Sequence, residues 1–377
     1  MSIEQGKISK RQAIFLLANS ILASMVLITP ALMAKAAGQD AWIAVLIAGV
    51  FGLLFGMLVI SVGLRHPEKN MVEYGIDLLG PWLGRAVAII FALFFLHLNA
   101  YVVRSFGSLL ITETMPETPL VVFNILIVLI AAYGAYLGLE VFSRVNEIVF
   151  PLSILVGVAI VAMGLPEMNF DLFKPFFTHP LPQMLRASLV LFAFYAEGTF
   201  LLMIIPSFRQ PNEARQVVWP VVLILSVAML FDVGALIALF GHEDTARMVF
   251  PTYEFAKTVH LGGFLERIES LVVGVWVATV GLKVTVFYYV SVLIFAQTFN
   301  LKDYRPLVLP YALILVVLSL LGWADTNQIT LYMSRYFPLF AFTVLGGTTL
   351  LLFFVGITRM RGSTGGGKKN EDKVDQT

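Results

Sequence analysis

Two charged residues stand where charge is expensive. Glu197 lies near the middle of residues 186–206, RASLVLFAFYAEGTFLLMIIP, and Lys283 lies midway along another apolar run, in ATVGLKVTVFYY. A charge at the bilayer centre costs roughly 2.5–3.5 kcal/mol on insertion scales, so each side chain calls for a partner or a task. A carboxylate at that depth can accept a ligand's ammonium group, bind a proton, or sit neutral between helices. The lysine can pair with Glu197. It can also aim its ammonium at backbone carbonyls freed by a break near Ala23 and Ser24, standing where a cation would; we expect this second arrangement. Gly198 follows Glu197 at once and Pro206 closes the run. Glycine and proline together predict a helix that opens here and leaves backbone groups free to meet a ligand. Tyr195, just before the opening, is placed to wall a pocket.

Other polar residues within apolar runs carry plainer expectations. Arg104 should snorkel toward the nearer interface. His97, Asn99 and Tyr101 share its helix, with His97 expected to pack rather than relay protons. Asn19 and Asp232 read as hydrogen-bonding glue between helices. Arg144 and Glu147 sit one helical turn apart and should form an interfacial pair. No GxSxG, HExxH, Walker A or GxGxxG occurs in a suitable context. The five histidines are scattered without metal-ligand spacing, and Gly365-Gly366-Gly367-Lys368 lacks the spacing of a phosphate loop. We therefore expect no enzyme, no cofactor and no metal.

The elements that must position these residues are membrane helices. The chain has 377 residues, 59% hydrophobic and 13% charged, with mean hydropathy +0.87; soluble domains carry about 25% charged residues. The fold class is all-α integral membrane. A net charge of +1 without a basic stripe excludes nucleic acid as a partner, and the absence of cysteine excludes disulfides and thiolate metal sites. Ten spans are predicted, at 12–34, 41–64, 83–112, 119–139, 141–165, 183–206, 215–241, 266–298, 306–323 and 328–358. The first is too long for a signal h-region and reads as a retained helix. With the N-terminus cytoplasmic, sixteen Lys and Arg fall on that side against seven on the other, so both termini are expected in the cytoplasm.

Two connections carry helical pattern: 70–80 as an amphipathic interfacial helix, and 250–259, opened by Pro251, as a cap on the outer face. The organisation is then an N-terminus at 1–11, a first repeat of five helices at 12–165, a second at 183–358, and a polar, disordered cytoplasmic tail at 359–377. An echo links the halves. Ala23-Ser24 is followed by Pro30 in the first span, and Gly198-Thr199 by Pro206 in the sixth. Five spans separate them, so the second copy runs in the opposite direction, as in inverted-repeat transporters.

Four stretches in order then carry a family resemblance: ISKRQAIFLLANSILASMVLITPALMAKAAGQDAW (8–42), PETPL (116–120), FLERIESLVVGVW (264–276) followed by Lys283, and WADTNQITLYMSRY (323–336). The chain up to about residue 360 resembles the B subunits of bacterial spore germinant receptors. These form the spore permease family within the amino acid–polyamine–organocation transporters. The resemblance implies a 5+5 inverted repeat with broken first and sixth helices. It implies recognition of a small nutrient, typically an amino acid. The implied partners are an A subunit with soluble and membrane parts and a C lipoprotein, in the inner membrane of the dormant spore. By this likeness the ligand lies against Ala23, Ser24 and Met25; Tyr195, Ala196, Glu197, Gly198 and Thr199; Leu98 and Tyr101; and Lys283, with Glu197 and Lys283 coupling or gating. Ala-Ser stands where many relatives are expected to have glycine, a departure from the family pattern at the very point where the first helix is expected to break. The alternative is a proton-coupled amino acid transporter, in which Glu197 or Lys283 titrates in each cycle.

Overall fold

The structure, a computed structural model, describes the backbone of residues 6–258 and 268–371 and the side chains of 6–258 and 270–359. Helix α1 (Lys10–Ala37) starts at a capping box: the Ser9 hydroxyl accepts the Gln12 N–H, and the Gln12 side chain accepts the Ser9 N–H. It stops at Gly38, whose φ of +52° favours a residue without Cβ. A single 3₁₀ turn (Gly38–Asp40) leads into α2 (Ala41–Gly63). The amphipathic segment is α3 (Met71–Leu79), capped by Asn70 and Glu73 in the same reciprocal way. Next come α4 (Pro81–Glu113), with proline at its first turn, α5 (Leu120–Leu137) and α6 (Leu139–Gly164). The sixth span is α7 (Leu181–Ala196), a 3₁₀ turn (Glu197–Phe200) and α8 (Leu201–Ile204). Helices α9 (Val218–Arg247), α10 (Pro251–Thr258), α11 (Ile268–Thr298) and α12 (Val308–Leu321) follow. The last span joins α13 (Thr326–Leu331), α14 (Phe337–Ala341) and α15 (Gly347–Glu371) through two π-helical stretches, Tyr332–Tyr336 and Phe342–Gly346.

Eight helical runs among the described residues are long and apolar enough to cross a membrane. The first of them folds back at Gly38–Asp40 into α1 and α2, and the shorter apolar run Arg305–Leu321 brings the crossings to ten. Helix α1 is the axle of the bundle: it packs against α9, α7, α11 and α6, while α11 also packs against α4, α5 and α6. The glycines of α2 allow α7 and α9 to approach closely. A Cβ at Gly52 would stand 2.6 Å from the Tyr195 ring, and one at Gly49 2.6 Å from Ser226 Oγ. The outward faces of α5, α6 and α12 are apolar, with Ile130, Ile148, Leu155 and Leu309 exposed.

Both ends of the bundle are tied. At the N-terminal end Ile8 donates its N–H to Ser207 O (2.8 Å) and accepts from the Arg209 N–H (3.0 Å), strapping the chain start to the end of the sixth span. At the opposite end the buried Asp40 carboxylate accepts the N–H groups of Phe177 (2.8 Å), Thr178 (2.8 Å) and His179 (3.1 Å), which ties the connector between the two halves to the α1–α2 turn.

Several expectations need adjusting. The first span is one continuous α-helix through Ala23 and Ser24, and the sixth is interrupted by a 3₁₀ turn rather than an open segment. Ala and Ser both tolerate helix, and Gly198 keeps to it as well, so no residue here forces the chain out. The fourth and fifth spans part at Gly138 (φ +94°), two residues before the expected split, because glycine takes the left-handed turn there. Arg144 pairs with Glu140, its neighbour at four residues, while Glu147 turns inward to Arg11 (2.7 Å) and Gln12 (2.9 Å). The helix of α15 runs on to Glu371, through most of the stretch whose composition reads as a disordered tail. The backbone of 259–267, with the opening of the FLERIESLVVGVW motif, lies outside the described residues.

Candidate functional site

Three central elements each bring one polar side chain to a common point. Glu197 is the first residue of the 3₁₀ turn between α7 and α8. Lys283 sits midway along α11, and Ser24 midway along α1. The Lys283 ammonium donates to Glu197 Oε2 at 2.6 Å and to Ser24 Oγ at 2.7 Å. Neither charged side chain has any solvent-accessible surface. The ammonium also lies over the Phe287 ring, 4.8 Å from its centroid, and 5.7 Å from that of Phe194. A buried pair gains little net energy when complete. Removing one partner strands a charge, at about 3–5 kcal/mol.

The lysine thus takes the carboxylate and not the backbone carbonyls of α1, which was the arrangement expected. The physical reason is local: α1 stays helical at Ala23 and Ser24, so the carbonyls there remain engaged in the helix. Only the Ser24 hydroxyl is left to meet the ammonium.

Glu197 keeps one acceptor in hand. Its Oε1 is buried and has no hydrogen-bond partner among the described residues, and the same holds for the Tyr332 hydroxyl. Tyr101 and Tyr332 both lie within electrostatic reach of the Glu197 carboxylate. Their rings pack together at 5.2 Å, and each meets Trp323 at 5.5 Å. An aromatic wall from α4, the last span and the turn before it therefore stands on one side of the charge pair. His97 packs into the same wall, against Trp323, Tyr332 and Phe340.

The other expected site residues divide. Ala23, Met25, Leu98 and Ala196 are buried around the central helices. Thr199 closes the 3₁₀ turn by donating to Ala196 O at 2.6 Å. Tyr195 points away from the pair: its hydroxyl meets Ser226 at 2.8 Å and its ring covers Gly52. With Gly198, Thr199, Leu17 and Ile21 it lines a separate cavity of about 30 Å³ against α2 and α9. Sequence reasoning missed Phe194, Phe287, Trp323 and Tyr332. Helical spacing offered a signal for the first two, three residues before Glu197 and four after Lys283. The last two lie in the WADTNQITLYMSRY stretch, and Tyr332 opens a π-helical segment, a local form that often accompanies functional sites. Asn19 donates to Thr279 O and Asn99 to Val284 O, both at 3.1 Å, so α11 is tied to α1 and α4 on either side of Lys283.

This architecture has solved counterparts. It superposes on a structure of MhsT in complex with L-phenylalanine with a TM-score of 0.63, at 14% identity, over 93% of both chains. It superposes on MHP1, a nucleobase-cation-symport-1 family transporter, with a TM-score of 0.66 at 13% identity, over 90% of this chain and 77% of that one. The fold is therefore that of the inverted-repeat membrane transporters, with the buried charge pair at the meeting of its first, sixth and eighth spans. Within that class the sequence is more specific. The profile described as "Spore germination protein" (Spore_permease) matches residues 7–328, and the chain belongs to this family. Among its relatives are spore germination protein KB of Bacillus subtilis, 26% identical over 91% of this chain and 95% of that protein, and spore germination protein YndE of the same organism, 23% identical over 95% and 98%.

Proposed function

We propose that this chain is the nutrient-recognising membrane subunit of a spore germination receptor, and that its ligand is a free amino acid. The observation that carries the reading is the Lys283–Glu197 pair, buried where three central helices meet and with one carboxylate oxygen unengaged. A zwitterion complements both halves of such a pair. Its ammonium takes Glu197, its carboxylate takes Lys283, and its side chain rests on the aromatic wall of Tyr101, Trp323 and Tyr332. One internal contact is exchanged for two external ones, so no charge is left stranded. Because the pair joins the sixth span to α11 and, through Ser24, to α1, inserting a ligand shifts these helices relative to one another. It shifts them only to the extent that it binds one arrangement better than the other. The signal then passes to an A subunit and a C lipoprotein in the inner membrane of the spore. Both termini lie in the cytoplasm, on the side richer in Lys and Arg.

The second reading, proton-coupled amino acid transport, is favoured by the transporter fold and by two titratable groups in contact at its centre. Two experiments separate them. Exchanging this subunit alone between spores of different nutrient response should transfer the response; failure to transfer it would overturn the sensing role. In liposomes the purified chain should bind a labelled amino acid without concentrating it. Concentrative uptake driven by a proton gradient would establish the transporter instead.

A further inference from the structure

A half-buried carboxylate stands apart from the charge pair. Asp232 lies in α9, in the half of its span away from the N-terminal end, and meets the outer helix α10 rather than a cation. Both its oxygens approach Thr252 Oγ1, at 3.1 and 3.3 Å, and the same hydroxyl reaches Val26 O at 2.8 Å. The Val26 carbonyl is available for a local reason. Four residues on stands Pro30, which has no N–H to give it. One hydroxyl therefore faces three acceptor atoms with a single proton. Its shortest contact is with Val26. With that bond made, the Thr252 oxygen turns lone pairs toward Asp232, and an ionised carboxylate has nothing to offer them. A protonated one does, as the donor.

We infer that Asp232 is a proton-binding site, and that the bound proton seats α10 on α1. With the proton present, Asp232 donates to Thr252 and Thr252 donates to Val26, an unbroken relay across three elements. When it leaves, the one hydroxyl proton is drawn to the carboxylate, Val26 O loses its partner, and α10 loosens from the first helix.

No charged neighbour compensates Asp232 among the described residues. On α10, Lys257 is held by Glu113 and Glu254. In the connectors, Asp40 is held by the backbone at 177–179 and Asp171 by Lys174. On α1, Lys35 points outward. On α9 itself Arg247 pairs with Glu243 and Asp244 past the turn at Gly241, and His242 lies in that same turn. Lys10, Arg11, Glu140, Arg144, Glu147, Glu213 and Arg215 belong to the N-terminal end of the bundle. Helix α2 carries no charged side chain. This site does not depend on which ligand, if any, the central pair receives.

The test uses the full chain in lipid nanodiscs. Infrared difference spectra should show a protonated-carboxyl stretch that survives Glu197→Gln, disappears in Asp232→Asn, and moves to the position of a free carboxyl in Thr252→Val. The chain has no cysteine, so Lys35→Cys and Thr258→Cys give clean spin-label sites on α1 and α10. Their separation should lengthen as pH rises from about 5 to about 9. It should stay constant in Asp232→Asn, whose amide keeps a donor for Thr252. A carboxyl band indifferent to Asp232→Asn would overturn the inference, as would a pH-dependent separation that persists in that variant. Loss of the band when sodium replaces choline at fixed pH would also overturn it, by assigning the site to an alkali cation.

Discussion

Lys283 and Glu197 meet at 2.6 Å with no part of either side chain open to solvent, and Ser24 completes the contact from the first helix. One cation and one carboxylate thereby hold together the three helices on which the fold is built. The predictions below start from this pair and move outward.

Breaking the pair from one side should destabilise the protein more than removing it. Lys283→Met or Glu197→Gln should each cost about 3–5 kcal/mol by leaving a charge or a polar group stranded. The double variant Lys283→Met with Glu197→Gln should recover much of that. Thermal unfolding of the four proteins in detergent measures it. Additive losses would mean that the two side chains do not act as a pair.

The proposed ligand geometry distinguishes zwitterions from their halves. An amino acid should outcompete its decarboxylated amine and its deaminated acid by at least tenfold, about 1.4 kcal/mol. A competition series on germinating spores measures the ratio. Equal potency of the amine and the amino acid would remove Lys283 from ligand recognition.

Position in the bundle should outrank charge type. Glu147 lies at the N-terminal end, bound to an arginine whose side chain is 72% exposed, where an ion pair is worth only about 0–1 kcal/mol. Glu197→Gln should therefore impair the nutrient response far more than Glu147→Gln. Equal effects in dose–response curves would argue against a central site.

Helix α10 supplies a pH effect whose sign can be worked out. Burial opposes the charge on Lys257, but Glu254 and Glu113 outweigh it and hold the ammonium above its usual 10.5. A raised value means that the bound form is favoured in the folded state. The contribution is full below the unfolded value and is lost as pH rises through the folded one. The side chain is 37% exposed, so solvent screening keeps the effect small. Melting temperature relative to Lys257→Met should be flat through neutral pH and converge only in strongly alkaline buffer. Convergence already near neutrality would contradict the pairing.

Close packing at α2 should be intolerant of bulk. A Cβ at Gly52 would stand 2.6 Å from Tyr195 Cδ1, so Gly52→Val should cost about 1–3 kcal/mol by overpacking. Pairing it with Tyr195→Ala should return part of the loss in the same unfolding assay. A neutral Gly52→Val would show that α7 can shift away freely.

Much of this was legible along the chain because the governing physics is one-dimensional. Apolar run length set the spans, the mixed apolar and acidic pattern of 70–80 marked an interfacial helix, and Pro251 marked the start of another. The depth of Glu197 and Lys283 followed by counting from span ends. Direction around a helix axis did not follow, because these helices are apolar on nearly every side and carry little pattern to tell one face from another. Tyr195 and Glu197 are two residues apart, yet one turns to Ser226 and the other to Lys283. Glu147 has Arg144 within one turn, yet it bonds Arg11 from another helix. Whether Lys283 would meet a carboxylate or a carbonyl turned on whether α1 stayed helical at Ala23 and Ser24. Neighbouring helices decide that, since small residues accept either form. The sequence alone determined that charge would be buried at the centre of this bundle. Tertiary structure decided which atoms would share it, because partners from distant spans are chosen by how helices rotate against one another as they pack.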